Sequence, residues 1–131
     1  KIYEDGFRAL GMEPGALAIP GLAGAIERDD RELAQTILRE ALREVAGTFD
    51  AVILACTHYP LVADLFREAL GPAIELIDPA DAVAARVEEA WGRAEVGAGM
   101  LRFVISQDSA PFRALVSRLF AGSEEKIEVI E

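Results

Sequence analysis

The chain's single cysteine and single histidine fall two residues apart, in Cys56-Thr57-His58-Tyr59-Pro60. A thiol ionises within reach of neutral pH, and its thiolate acts as nucleophile or base. An imidazole beside it can take or return the proton. The preceding residues, Ala51-Val52-Ile53-Leu54-Ala55, are apolar and bounded by Phe49-Asp50, which predicts a buried strand of a parallel sheet. Pro60 then suits the first turn of a helix carrying Leu61, Val62, Leu65, Phe66 and Leu70. In open α/β sheets, ligands bind in the crevice beyond the carboxyl ends of the strands. Cys56, Thr57 and His58 are therefore expected at such an end, before a helix N-terminus where negative charge is favoured. The opposing reading is structural, because a free cysteine also behaves as a small buried hydrophobe.

The elements that must position these groups alternate along the chain. Lys1 to Leu10 reads as a helix with Ile2, Tyr3, Phe7 and Leu10 on one face, closed by Gly11. It begins without a cap, which suggests a longer element upstream. Ala16 to Ile19 reads as a short strand ended by Pro20-Gly21, and a short helix then carries Leu22, Ile26 and Glu27. Asp29-Asp30-Arg31-Glu32 opens the clearest helix, with Leu33, Ile37, Leu38, Ala41, Leu42 and Val45 inward and Gly47 closing it. Arg39, Glu40, Arg43 and Glu44 are its solvated face. After Gly71-Pro72, Ile74 to Ile77 is a second parallel-type strand. Asp78-Pro79 starts a helix with Val83, Val87 and Trp91, which frays through Gly92 into Gly97-Ala98-Gly99. Leu101 to Ile105 is a strand. Asp108 or Ser109 caps a helix with Phe112, Leu115, Val116, Leu119 and Phe120 inward, ended by Gly122. Ile127 to Ile130 is a last strand. Gly71-Pro72 and Glu95 to Gly99 are the best linkers. Alternation of this kind predicts an α/β chain with a parallel sheet and right-handed crossovers.

Composition narrows the function. At 131 residues and 52% hydrophobic, the chain can bury a core. A formal net charge of −10 argues against a nucleic-acid backbone binder, which needs a basic face. One cysteine excludes an internal disulfide and suits a reducing compartment. The polar start shows no apolar signal region, and Gly15 to Ile26 is too short and too interrupted to span a bilayer. Gly21-Leu22-Ala23-Gly24 fits neither phosphate-loop pattern, no nucleophile elbow occurs, and one His with one Cys cannot make a structural zinc site.

Cys56-Thr57-His58-Tyr59-Pro60-Leu61 after an apolar strand resembles the second catalytic-cysteine motif of bacterial glutamate racemases. Ile74-Glu75-Leu76-Ile77-Asp78 is similar to that family's next strand and turn. Ile19-Pro20-Gly21-Leu22 with Ile26-Glu27 is similar to its Pro-containing strand end and acidic helix start. Ala55 stands where the family often has glycine and Ile19 where it often has cysteine. Nothing matches the family's N-terminal half, with its Asp-Ser pair and first catalytic cysteine.

The resemblance implies a parallel-sheet, three-layer α/β domain of the two-domain Asp/Glu racemase type, with the first domain largely missing. Residues 13–78 would be the second domain. Residues 1–12 and 79–131 would belong to the incomplete first one. It implies cofactor-independent interconversion of L- and D-glutamate in the cytoplasm for peptidoglycan synthesis, without metal. Cys56 would be one of two acid–base groups. His58 would assist its proton transfer, Glu27 would hold His58, and Thr57 would bind substrate. A homodimer is possible on this reading, and the missing N-terminal half is needed to complete the site. Two alternatives stand beside it: a related cysteine-dependent racemase or decarboxylase, and a non-catalytic interaction module. On the residues alone, Glu27 is a solvated helix residue and Asp78 a cap.

Overall fold

The computed structural model describes residues 2–45, 47–92, 100–121 and 125–130. The helices are α1 (Ile2–Ala9), α2 (Leu22–Glu27), α3 (Arg31–Leu42), α4 (Ala63–Leu70), α5 (Ala80–Trp91) and α6 (Ala110–Leu119). The strands are β1 (Ala51–Ile53), β2 (Glu75–Ile77), β3 (Leu101–Ile105) and β4 (Glu125–Val129), and a 3-10 turn runs over Tyr59–Val62. β1 pairs in parallel with β2, with Val52 opposite Leu76, and β3 pairs in parallel with β4, with Phe103 opposite Ile127. From β1 onward the alternation of strand and helix expected from the sequence is present.

One cluster forms the core. Ile19, Leu22, Ala25 and Ile26 meet Ala34, Leu38 and Leu42 of α3, Leu54, and Val62, Leu65, Phe66 and Leu70 around α4, with Ile74 closing it. The spacing of Ala34, Leu38 and Leu42 places them on one stripe of α3, as a 3.6-residue period requires. Asp30 caps that helix, its carboxylate accepting from Leu33 N–H at 3.0 Å. Polar contacts staple α3 to α4 along their outer edges. Arg31 pairs with Asp64, Arg39 Nη2 meets Glu68 Oε1 at 2.6 Å, and Gln35 Nε2 donates to Glu68 at 3.0 Å.

Three expectations need correction. Ala16 to Ile19 is not a strand: among the described residues, β1 and β2 form a two-stranded sheet that does not include it, and Leu17 is exposed. A strand exists by pairing, and apolar composition alone cannot supply the ladder. β1 is also buried on one face only. Val52 and Leu76 pack on the core, whereas Ala51, Ile53, Glu75 and Ile77 are exposed on the alternate face. Period-two alternation makes this the rule for a sheet covered on one side. Finally, Leu33 lies outward at 39% exposure, and Ala34 takes the inward position.

Outside residues 19–74 little is buried among the described residues. α5 has no buried residue, and Val83, Val87 and Trp91 are exposed along it, Trp91 by 85%. Asp78 Oδ1 accepts from Ala80 N–H at 2.9 Å, so this residue fastens the start of α5. Gly92 ends α5 at φ +73°; the expected linker Glu95 to Gly99 and Gly122 lie outside the described residues. β3, α6 and β4 form a second unit around Phe103, whose ring lies 5.9 Å from Phe112 and 5.5 Å from Phe120. Ser109 caps α6, and Val116 is its buried residue. Tyr3 of α1 and Leu10, just beyond its end, are exposed and cover nothing.

Candidate active site

The β1 ladder runs one residue beyond the strand, with Leu54 N–H donating to Ile77 O at 3.0 Å. Leu54 is buried, which pins the chain there, and the next residues leave the sheet at its carboxyl end. A tight turn follows: Tyr59 N–H donates to Cys56 O and Leu61 N–H to His58 O, each at 3.1 Å. Pro60 occupies the first turn of the 3-10 segment, where a missing N–H costs nothing. The α-helix proper begins only at Ala63, so the expected helix start is split into a 3-10 turn and a helix.

Behind this turn Tyr59 is anchored in the core. Its ring centroid lies 5.4 Å from that of Phe66, which is fully buried. Burial pushes the Tyr59 phenol above its ordinary range, and charge on Cys56 adds to the shift. Tyr59 therefore stays a neutral wall of the site. The signal for this packing in the sequence is the place of Tyr59 in an apolar run before Leu61 and Val62.

Cys56 and His58 are half-buried, and Thr57 is exposed. Cys56 Sγ lies 3.8 Å from His58 Nδ1, and Thr57 Oγ1 lies 3.5 Å from the same nitrogen. On the other edge of the ring, His58 Nε2 is 2.8 Å from Glu27 Oε1. The structure thus brings all four sequence-predicted residues together. Glu27, the last residue of α2, reaches the site from a segment thirty-one positions earlier.

This geometry assigns the imidazole's hydrogens. A carboxylate only accepts, so Nε2 must carry the hydrogen that points at Glu27. In the neutral ring, Nδ1 is then a bare acceptor facing the thiol. Cys56, His58 and Glu27 form a row in which a proton can pass from sulfur to nitrogen while the carboxylate steadies the resulting imidazolium. Among the described residues, no group of three or more His, Cys, Asp or Glu could hold a metal ion. No helix among them is long and apolar enough to cross a membrane.

The profile of the family described as Asp/Glu/Hydantoin racemase matches residues 1–87. A glutamate racemase of Roseobacter denitrificans is 44% identical over 84 residues, covering 62% of this chain and 31% of that protein. One from Paracoccus denitrificans is 38% identical over 111 residues, covering 80% of this chain and 41% of its own length. The chain thus spans about a third to two fifths of the curated relatives it matches. The crystal structure of a Bacillus anthracis glutamate racemase superposes with a TM-score of 0.80 at 21% identity, over 99% of this chain and 52% of that one. That of a Thermus thermophilus glutamate racemase, in complex with beta-chloro-D-alanine, gives 0.69 at 27% identity over 88% and 47%. A Francisella tularensis glutamate racemase in complex with D-glutamate gives 0.77 at 18% identity over 99% and 51%. With residues 1–87, two thirds of its length, matched by that profile, the chain belongs to the Asp/Glu/hydantoin racemase family.

Proposed function

We propose that this chain carries one half of the two-base site of a cofactor-independent glutamate racemase. Racemisation breaks the α-carbon C–H bond on one face and forms one on the other. A single base would return the proton to the side it came from. Cys56 serves one face: as thiolate it accepts the α-proton, and as thiol it delivers one in the reverse direction. His58 Nδ1 takes the thiol proton and gives it back, and Glu27 on Nε2 fixes the ring for that exchange. Thr57, exposed beside the ring, offers its hydroxyl to the substrate. Preorganised donors of the cleft hold the carboxylate and the developing carbanion.

The observation that carries this reading is the Glu27–His58–Cys56 row at the carboxyl end of β1, with spacings of 2.8 and 3.8 Å. Glutamate is supported as substrate by the names of the relatives and by the D-glutamate in the Francisella protein. With D-glutamate as product, the cytoplasm and peptidoglycan synthesis are its setting. We assign residues 13–78 to one racemase domain, and 1–12 with 79–131 to the other. The core cluster, which lies within residues 19–74, supports that division. The second base comes from a partner half, in the same polypeptide or another. The test is a hybrid of this chain with the N-terminal half of a relative. Cys56→Ser should abolish racemisation without loss of fold, and an active serine variant would refute the assignment.

A further inference from the structure

Two helices here end in the same backbone closure but fill its central position differently. After α1, Gly11 N–H donates to Arg8 O at 3.0 Å and Met12 N–H to Phe7 O at 3.1 Å, with Gly11 at φ +79°. After α2, Asp29 N–H donates to Ile26 O at 3.1 Å and Asp30 N–H to Ala25 O at 2.9 Å. This paired closure needs a left-handed residue, and glycine is the usual one. α2 uses Asp29, at φ +57° the single non-glycine residue with positive φ among those described. Aspartate is tolerated there but disfavoured relative to glycine, so its side chain is the thing to explain.

That side chain reaches across to the second unit. The Asp29 carboxylate forms an ion pair with Arg118 of α6. α6 lies against α2, but the seam is loose: a cleft of about 330 Å³ remains between them, lined by Ala34, Leu61 and Leu119 as well as by Asp29 and Arg118. Arg31 also feels the Asp29 charge but is held by Asp64. The seam borders both segments that carry the candidate site. Glu27 lies two residues before Asp29, and Leu61 belongs to the turn after His58.

We propose that Arg118 is a positioning residue: through Asp29 it fixes the end of α2 so that Glu27 stays bonded to His58 Nε2. The proposal rests on the Glu27–His58 contact of the site described above. An exposed ion pair adds little to stability, so this one can be removed without unfolding the chain. Its effect is on where the last turn of α2 sits, and the docking of α6 thereby becomes part of the site's geometry.

The chain's lone histidine makes the test direct, since one set of imidazole nitrogen signals reports on His58. The 15N-labelled chain is compared with Glu27→Ala, Arg118→Gln, Asp29→Gly and Arg118→Lys by long-range 1H–15N spectra at one mildly alkaline pH. In the unaltered chain the Nε2–H tautomer dominates. Glu27→Ala lowers the tautomer ratio by about three-fold or more, as expected for losing one net hydrogen bond. Arg118→Gln and Asp29→Gly lower it in the same direction, and Arg118→Lys recovers most of it. Asp29→Gly is the discriminating variant, because it removes the side chain that Arg118 holds while supplying the residue best suited to the left-handed position. An unchanged ratio in Asp29→Gly and Arg118→Gln, with Glu27→Ala shifted, overturns the positioning role alone. No shift in Glu27→Ala overturns the site contact and the proposal with it. A large loss of thermal stability in both Arg118→Gln and Asp29→Gly would make the pair a structural prop and would also overturn it.

Discussion

Phe66→Leu probes the link between the core and the site. Phe66 is 1% exposed, and its ring stacks obliquely on Tyr59, the residue after His58. Truncating a buried phenylalanine to alanine costs about 3–5 kcal/mol. Leucine refills much of that volume but removes the ring pair, itself worth about 0.5–1.5 kcal/mol. The expected loss is therefore about 1–2.5 kcal/mol, within the stability of about 5–15 kcal/mol typical of such domains. Urea unfolding followed by far-UV circular dichroism measures it; Trp91 is too exposed to report on the core. A second readout is the Tyr59 phenol in a Tyr3→Phe background, titrated by tyrosinate absorbance. Burial raises this phenol in the folded chain. Its contribution is fully present below the unfolded pKa and is lost as pH rises through the folded one. The substitution opens the wall, so Tyr59 should ionise at lower pH than in the unaltered chain. A change below about 0.5 kcal/mol, with an unmoved Tyr59 titration, would refute the packing argument.

Iodoacetamide should label Cys56 in the native chain, because the thiol is only half-buried; labelling that requires denaturant would return the buried, structural reading of this residue. The α3–α4 staples should make the chain acid-sensitive. The Arg31 guanidinium holds the Asp64 carboxyl below its usual range, and the Arg39 guanidinium does the same for Glu68. Depressed carboxyls contribute above their unfolded pKa and lose that contribution as pH falls through the folded one. Asp64→Asn with Glu68→Gln should flatten the acid limb of a pH–stability curve. An identical limb in the double variant would contradict this.

The motif and its partners were legible because their chemistry is local. A lone Cys and His at a strand end announce themselves, and Asp30 and Ser109 carry the capping pattern that starts α3 and α6. Glu27 was harder. Nothing in its own surroundings separates it from a solvated helix residue, and only the resemblance pointed it at His58. Ala16 to Ile19 misled because strand formation depends on a neighbour, not on composition. The left-handed Asp29 was invisible in the run Asp29-Asp30-Arg31-Glu32, where both acids read as helix-start residues. One caps α3, whereas the other closes the helix before it. Of the residues expected inward on α6, Leu119 is exposed, whereas Leu115 and Phe120 are partly buried, Phe120 against Phe103 within the β3–α6–β4 unit.

The central claim is that this chain holds one acid–base face of a two-base site. It is tested by incubating the chain in D2O with L- or D-glutamate, alone and together with the N-terminal half of a relative. Optical rotation follows racemisation and proton NMR follows loss of the α-hydrogen. The account predicts neither change with the chain alone, and both once the second half is present. Racemisation by these 131 residues alone would contradict it.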